Sequence, residues 1–172
     1  MKILKKITTT IDSTVGFAAK TFSAVLIVPL IFATVYDVTL RYIFNSATEW
    51  AYDVTWMSYA MFFLIGLPYC QQKNANVMLD FFVGRIPARK RAVVECCYLM
   101  VFVFPIVLVI LYYSIPYAWQ AWMTGDRSQY TMWRPYLAPV KSLLPISFGL
   151  LLFQGISIFI KKISYAIKGV EL

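Results

Sequence analysis

Four long apolar stretches dominate the pattern of hydrophobic and polar positions along this chain. A bilayer core about 30 Å thick is crossed by roughly 20 apolar residues in a helix. The pattern therefore predicts an all-α integral membrane protein that forms a single membrane domain over residues 1–172. The four transmembrane helices are expected at about 18–42, 50–70, 91–120 and 142–162.

A shorter apolar segment, at about 76–87, separates the second and third predicted helices. It carries Asp80 and Arg85 among apolar residues and is too short to span a bilayer, which favours a short helix lying in the membrane interface. The basic run Arg89-Lys90-Arg91 follows it. That run suits anionic phospholipid headgroups, and it serves equally well as a simple topology signal.

The distribution of basic residues predicts how the helices are oriented. The 16 basic and 8 acidic residues give a net charge of +8, which in a soluble protein would suggest nucleic acid as a partner. Here most basic residues lie in the two tails and in the loop between helices two and three. The positive-inside rule then places both termini in the cytoplasm, and no nucleic-acid partner is expected. The first apolar run is too long for a signal peptide, so we interpret it as a retained helix.

The composition argues against catalysis and against a bound cofactor or metal. Hydrophobic residues make up 60% of the chain, charged residues only 14%, and histidine is absent. The lack of histidine excludes the commonest metal and proton-relay ligands. Cys96 and Cys97 are adjacent in the third predicted helix, and Cys70 ends the second. We interpret the three cysteines as inert apolar side chains. We therefore expect no enzyme activity.

Ionisable residues lie near the ends of the predicted helices. Asp37 and Arg41 are four residues apart and share a helix face, so they form either a structural ion pair or a contact to a partner subunit. Glu49 and Asp53 have the same spacing. Helix-dipole stabilisation, a neighbouring Arg41, or a Na⁺ or proton site are the alternatives for these two acids.

Four further local features lead to specific expectations. Arg91 and Glu95 should form an i,i+4 pair, and Gln154, polar inside helix four, should form a hydrogen bond between helices. Thr48 is a candidate N-cap for helix two. Helix four should begin near Ser142, with Pro145 in its first turn. Pro29 in helix one, and the prolines of helix three, are expected to bend those helices.

The pattern does not provide a transport route through the chain itself. Secondary transporters combine internal repeats with discontinuous helices around a site at the bilayer midplane, and neither feature occurs in this sequence. This favours an accessory subunit. The alternative is an autonomous four-helix exporter that acts as a homodimer, and a membrane anchor of a redox enzyme is a third class.

Several motifs, in order along the chain, resemble one family of membrane proteins. The run from Tyr36 to Asn45, followed by Glu49-Trp50-Ala51-Tyr52-Asp53, resembles the small permease subunit of tripartite ATP-independent periplasmic (TRAP) transporters, of the DctQ/SiaQ type. The family pattern D-V-x-x-R-Y-x-F-N is matched there. Further matches are Gly66, Asp80 in a motif where Asn76 replaces the usual histidine, Gly125-Asp126-Arg127-Ser128, Trp133-Arg134-Pro135, Lys141, Pro145 and Gln154-Gly155.

The resemblance implies a multi-pass protein of the bacterial inner membrane with two protein partners. A periplasmic substrate-binding (P) protein would deliver an organic acid, and a large permease (M) subunit would move it by symport with Na⁺ or protons. The small subunit would act as a scaffold for the large one within a heteromeric complex. We therefore expect partner-docking or structural roles for Asp37, Arg41, Glu49, Trp50, Asp53, Asp80, Asp126, Arg127, Trp133, Arg134 and Gln154.

Overall fold

The computed structural model describes residues 2–46, 48–73 and 87–168. In these residues the chain forms α1 (Lys2–Ile43), α2 (Ala51–Gln72), α3 (Ala88–Tyr98), α4 (Phe104–Thr124) and α5 (Ala138–Lys168), and a π-helical segment, Leu99–Val103, joins α3 to α4. The described residues contain no β-strand and a single isolated antiparallel bridge between Arg127 and Tyr136. The prediction of an all-α protein is confirmed.

Three helices are long and apolar enough to cross a membrane, over Ala24–Ile43, Lys90–Thr124 and Ala138–Tyr165. The second predicted span, now α2, is 22 residues long, but its hydroxyl, amide and carboxyl groups lower its mean hydropathy. The count of four spans therefore remains a prediction. Apart from Pro87, the predicted interfacial segment at 76–87 lies outside the described residues.

Helix α1 is much longer than the sequence pattern predicts. It runs for 42 residues and begins at Lys2, whereas the apolar pattern begins near residue 18. Its first half carries threonines and charged residues that a hydropathy pattern does not mark as membrane-spanning, yet the helix continues through them. The helix is also continuous through Pro29. It packs on α2 and α5 through one face that includes Val15 and Ala33, and leaves the opposite face exposed.

Two helix starts differ from those predicted. Helix α2 begins at Ala51 with Trp50 as its N-cap, so Thr48 does not cap it. The Thr48 side chain donates a hydrogen bond to Asp37 instead, since that carboxylate lies within reach and is the stronger acceptor. Helix α5 begins at Ala138 and not near Ser142, which places Pro145 in the helix interior. Pro139 occupies the position near the helix start that tolerates proline.

The π-helical segment has a local cause. Pro105 has no N–H to donate to the carbonyl of residue 101, four positions earlier, so the regular hydrogen-bond ladder is interrupted there. The wider turn of Leu99–Val103 lies directly before that proline. Pro116 lies within α4, which is continuous from Phe104 to Thr124.

The core between the helices is built from small side chains and from hydrogen bonds between helices. Ala33, Ala51 and Ala121 are almost fully buried. Gly155 allows a close approach between helices, because an added Cβ would lie 3.1 Å from the ring of Phe104 and 3.3 Å from the amide nitrogen of Gln71. The hydroxyl of Ser147 also donates to the carbonyl of Leu64. Small residues and polar contacts of this kind are typical of helix packing in membranes.

Candidate functional site

The described charged side chains lie near the two ends of the bundle. One end, called here the loop end, contains the connections at residues 44–50 and 125–137. The opposite end contains the first turns of α1 and α3 and the last turns of α2 and α5. Each end has two polar clusters, and each cluster is named here by its carboxylate.

The Asp53 cluster fixes the 125–137 loop to α2. Asp53 lies in the first turn of α2 and is 0% exposed. Its carboxylate accepts hydrogen bonds from the hydroxyls of Ser128, at 2.6 Å, and Thr131. The N-terminal dipole of α2 adds to the stabilisation of this negative charge. Two hydroxyl donors from one loop therefore hold that loop against the start of the helix.

Backbone bonds stiffen the same loop. Gly125 ends α4 in the left-handed conformation, at φ +62°, which glycine adopts without steric cost. The backbone amide of Ser128 donates to the carbonyl of Pro135, and the backbone amide of Leu137 donates to the carbonyl of Asp126. Both N–O distances are 2.9 Å. Arg127 stacks on the ring of Tyr136, with 4.4 Å from its Cζ to the ring centroid, and donates to its hydroxyl.

The stiffened loop presents a solvent-exposed patch of residues 130–134. Met132 is 83% exposed, and Tyr130 and Trp133 are also exposed. Arg134 is exposed and has a left-handed backbone with φ 47°, unusual for a residue with a side chain. Aromatic residues, methionine and arginine are enriched in protein interfaces. We call these residues the loop patch.

The Asp37 cluster closes the connection between α1 and α2. Arg41 donates to Asp37 at 2.8 Å, so within the chain the two residues form the i,i+4 ion pair, one of the two alternatives named for them. The backbone amide and the hydroxyl of Thr48 donate to the other carboxylate oxygen of Asp37. Trp50 is half-buried and lies beside the ring of Tyr36, with 5.5 Å between centroids. The end of α1 is thereby held to the start of α2.

The Asp12 cluster, at the opposite end, was not anticipated from the sequence. Asp12 of α1 accepts hydrogen bonds from Gln154 at 2.9 Å and Ser157 at 3.2 Å, and forms an ion pair with Lys161, all on α5. Its backbone carbonyl accepts from the side chain of Gln72, at the end of α2. Gln154, only 1% exposed, thus forms its predicted hydrogen bond between helices. The cluster joins three helices.

The Glu95 cluster lies at the same end as Asp12. Glu95 is buried and accepts from Arg91 at 2.9 Å, as its sequence spacing predicts. It also pairs with Lys162, so the cluster joins α3 to α5. Nearby, the buried side-chain oxygens of Gln71, Gln72 and Gln154 receive no hydrogen bond from the described residues, which leaves spare acceptors at this end.

The residues singled out from the sequence do not form one site. Asp37 and Arg41 meet, whereas Asp53 contacts neither Arg41 nor Glu49 but two hydroxyls of the 125–137 loop. Glu49 is exposed, and Asp80 lies outside the described residues. No group of three or more acidic or cysteine side chains that could hold a metal occurs in the part of the chain that the structure describes.

A surface ion pair at the loop end gives the first testable prediction. Asp126 accepts a hydrogen bond from Lys141 at 2.6 Å, and this bond holds the pKa of Asp126 below its ordinary value of 3.8. Because the folded-state pKa is depressed, the pair stabilises the protein above pH 3.8 and that contribution is lost as the pH falls through the folded-state pKa.

We therefore expect Asp126→Asn to have a slightly lower Tm than the wild type from about pH 5 to about pH 8. The difference should be small, because the pair is partly exposed to solvent. It should begin to shrink near the ordinary value of 3.8 and disappear once the pH is below the folded-state pKa. Thermal unfolding in detergent across this pH range measures it. A difference that stayed constant down to about pH 3 would contradict this origin.

The fold and its clusters define the class of this protein. This is a helical, multi-pass membrane protein whose described polar side chains serve mainly to join helix ends. A protein-family comparison is more specific, because the model for the DctQ component of tripartite ATP-independent periplasmic transporters matches residues 30–164. The chain belongs to this family and is a TRAP transporter small permease subunit, as its motifs suggested.

The family is a transport component and not a group of enzymes, and it works as one part of a three-part system. No curated protein matches the chain in sequence. The matched residues include the Asp37 and Asp53 clusters with all of their partners. They begin after Asp12, so the N-terminal half of α1, with the acid of the Asp12 cluster, lies outside the match.

Proposed function

We propose that this chain is a fixed scaffold for the large permease subunit and does not itself conduct solute. The proposal rests on the positions of the polar groups and of the apolar surface. The carboxylates of the described clusters are engaged at the two ends of the bundle, while the apolar middle of each spanning helix faces outward. Only 6% of the apolar window of α1 and 22% of that of α5 are buried inside the chain.

The proposed arrangement in the bacterial inner membrane has four spans and both termini in the cytoplasm. At 22 residues and about 1.5 Å per residue, α2 is long enough to cross a bilayer core. Its most polar group, Asp53, is fully buried against the 125–137 loop and does not face lipid. The basic residues of the tails and of the middle loop support this orientation. The loop end then faces the periplasm.

In this proposal the large subunit carries an organic acid, a carboxylate, driven by a Na⁺ or proton gradient. Its moving part needs a stationary partner, and the exposed apolar faces of the small subunit provide one. The clusters support this role because they join the helices at both ends, so the bundle presents its outward surface as a unit. A rigid surface loses less conformational entropy when a partner docks on it.

The loop patch and the charges around it are proposed to dock the periplasmic binding protein. The patch combines exposed aromatic and methionine side chains with Arg134, and the backbone bonds and the Asp53 cluster hold it in place. Arg127 and the ion pair of Asp126 with Lys141 lie beside it. Charged rims of this kind guide encounters and set the register of binding more than they add affinity.

Reconstitution tests the scaffold role. Vesicles that contain this chain together with the large subunit and a loaded binding protein should take up the organic acid. Vesicles that contain the chain alone, or the large subunit alone, should not. The family match motivates the choice of partners. Gradient-dependent flux through the chain by itself would overturn the proposal and would favour the autonomous exporter.

Charge reversal at the loop patch tests docking. Arg134→Glu should slow association of the binding protein several-fold and change its salt dependence, because a rim charge acts mainly on the association rate. Lys90→Glu is the matched control, since Lys90 is an exposed base at the opposite end of the bundle. Surface plasmon resonance on the assembled membrane complex measures both variants. Equal association rates for both would exclude the loop patch from docking.

A further inference from the structure

A lateral groove of about 550 Å³ opens between α2, α4 and α5 on the loop-end half of the bundle. On α2 its wall consists of Trp56, Tyr59 with Ala60, and Phe63 with Leu64, which are successive turns of one helix face. The groove therefore runs parallel to the helices for about 12 Å, the rise over the eight residue steps from 56 to 64. It is elongated in the direction in which bilayer acyl chains lie.

The polarity of the groove changes along its length. Its deep end is formed by Phe63, Leu64 and Leu144 and is apolar. Its loop end contains the Lys141 ammonium, which lies 4.1 Å from the ring centroid of Tyr117. Trp56 and Tyr130 meet there with ring centroids 6.3 Å apart. Indole and phenol groups of this kind usually sit at the headgroup level of a bilayer.

A base at the loop end of the groove favours an anion. Lys141 is the charged residue among those that line the groove, and it binds Asp126 through one of its three N–H donors. The ammonium can therefore bind a second acceptor. A phosphodiester headgroup offers it anionic oxygens, whereas the apolar side chains of a partner helix would offer it no acceptor.

We propose that the groove binds a single phospholipid. One acyl chain lies along α2 and α5 down to Phe63 and Leu144, and the phosphate lies at Lys141. The lipid comes from the leaflet on the side of the 125–137 loop, which is the outer leaflet in the orientation proposed above. The bound lipid fills the space between α2 and α5 and gives the bundle a continuous surface at this point.

Photolabelling of the full-length chain in vesicles tests the proposal. The probe is phosphatidylglycerol with a diazirine in one acyl chain, present in a phosphatidylethanolamine bilayer, and peptide mass spectrometry locates the labels. We expect labelling of residues 56–64 and 140–144 to exceed labelling around Val109 several-fold, since Val109 is 57% exposed on α4 outside the groove. Equal labelling of these regions would overturn the proposal.

Variants separate the contribution of the chain from that of the headgroup. Ala60→Phe fills the groove from its α2 wall and should abolish the excess labelling, whereas Val109→Phe, the matched control, should retain it. Leu144→Trp fills the same space from α5 and replaces Ala60→Phe if that variant fails to fold. Lys141→Gln should reduce labelling by the phospholipid probe, and Lys141→Arg should restore it.

Two further outcomes would overturn the proposal. A diazirine diacylglycerol, which has no phosphate, would label the groove as strongly as phosphatidylglycerol if the headgroup contact did not exist. If a partner side chain filled the groove in the complex with the large permease subunit, the Phe63→Cys variant would crosslink to that subunit and lipid labelling would be lost. Groove labelling that requires the phosphate and persists in the complex would support it.

Discussion

Replacing Asp53 with alanine is expected to detach the 125–137 loop from α2 and to lower the free energy of unfolding by about 2–4 kcal/mol. Two hydroxyl donors, Ser128 and Thr131, would lose a carboxylate acceptor that is itself fully buried. Asp53→Asn should have an intermediate effect, because it keeps one acceptor oxygen and introduces an N–H group that faces other donors.

Thermal unfolding in detergent and limited proteolysis of the loop measure the Asp53 variants. Glu49→Ala is the matched control, since Glu49 is an acid one turn earlier that is exposed to solvent. It should change stability by no more than about 0.5 kcal/mol. If Asp53→Ala and Glu49→Ala had the same stability and the same cleavage pattern, the Asp53 cluster would not be what holds the loop.

Asp12→Ala is expected to release the N-terminal half of α1 from α5 and to cost about 2–3 kcal/mol, less than for a fully buried ion pair because this pair is partly exposed to solvent. The side chains of Asp12 and Lys161 are 21% and 34% exposed. Gln154 and Ser157, both buried, would lose their acceptor as well. Proteolytic sites within residues 2–16 should become accessible.

The control for this variant is Ser13→Ala, which changes an exposed neighbour of Asp12 on the same helix. A double-mutant cycle with Lys161→Ala separates the ion pair from the other contacts, since the two residues should show a positive coupling energy. Additive effects of Asp12→Ala and Lys161→Ala on the unfolding temperature would mean that the pair contributes nothing of its own.

A lower pH should weaken the same cluster. Burial of Asp12 raises its pKa, but the hydrogen bonds from Lys161 and Gln154 outweigh it and hold the pKa below 3.8. The stabilisation is therefore present above pH 3.8 and is lost as the pH falls through the folded-state pKa. The stability difference between the wild type and Asp12→Ala should shrink over that acidic range.

The sequence was sufficient for the helices and for contacts within one helix. Long apolar runs predict spanning helices because the bilayer requires about 20 such residues, and the described residues contain three candidate spans. The pairs of Asp37 with Arg41 and of Arg91 with Glu95 follow from the geometry of a helix, in which residues four apart are neighbours. Each of these inferences uses only local information.

Contacts between distant parts of the chain could not be predicted in this way. Asp53 binds hydroxyls 75 and 78 residues away, and Asp12 pairs with a lysine 149 residues away. No spacing rule connects such residues. The start of α1 was missed because polar helical turns have no hydropathy signal. The start of α5 did have a local sequence signal, because Pro139 lies in its first turn, where proline is tolerated, whereas Pro145 lies in the helix interior.

The double attachment of α1 to α2 has a mechanical consequence. At one end Gln72 of α2 binds the backbone of Asp12, and at the other Thr48, in the connection just before α2, binds the side chain of Asp37. These two points on α1 are 25 residues apart, or about 37 Å along the helix axis. A piston-like slip of α1 past α2 by one turn, about 5.4 Å, would break both attachments together. Helices α1 and α2 together therefore behave as a rigid rod, which transmits force along its axis without a change in length.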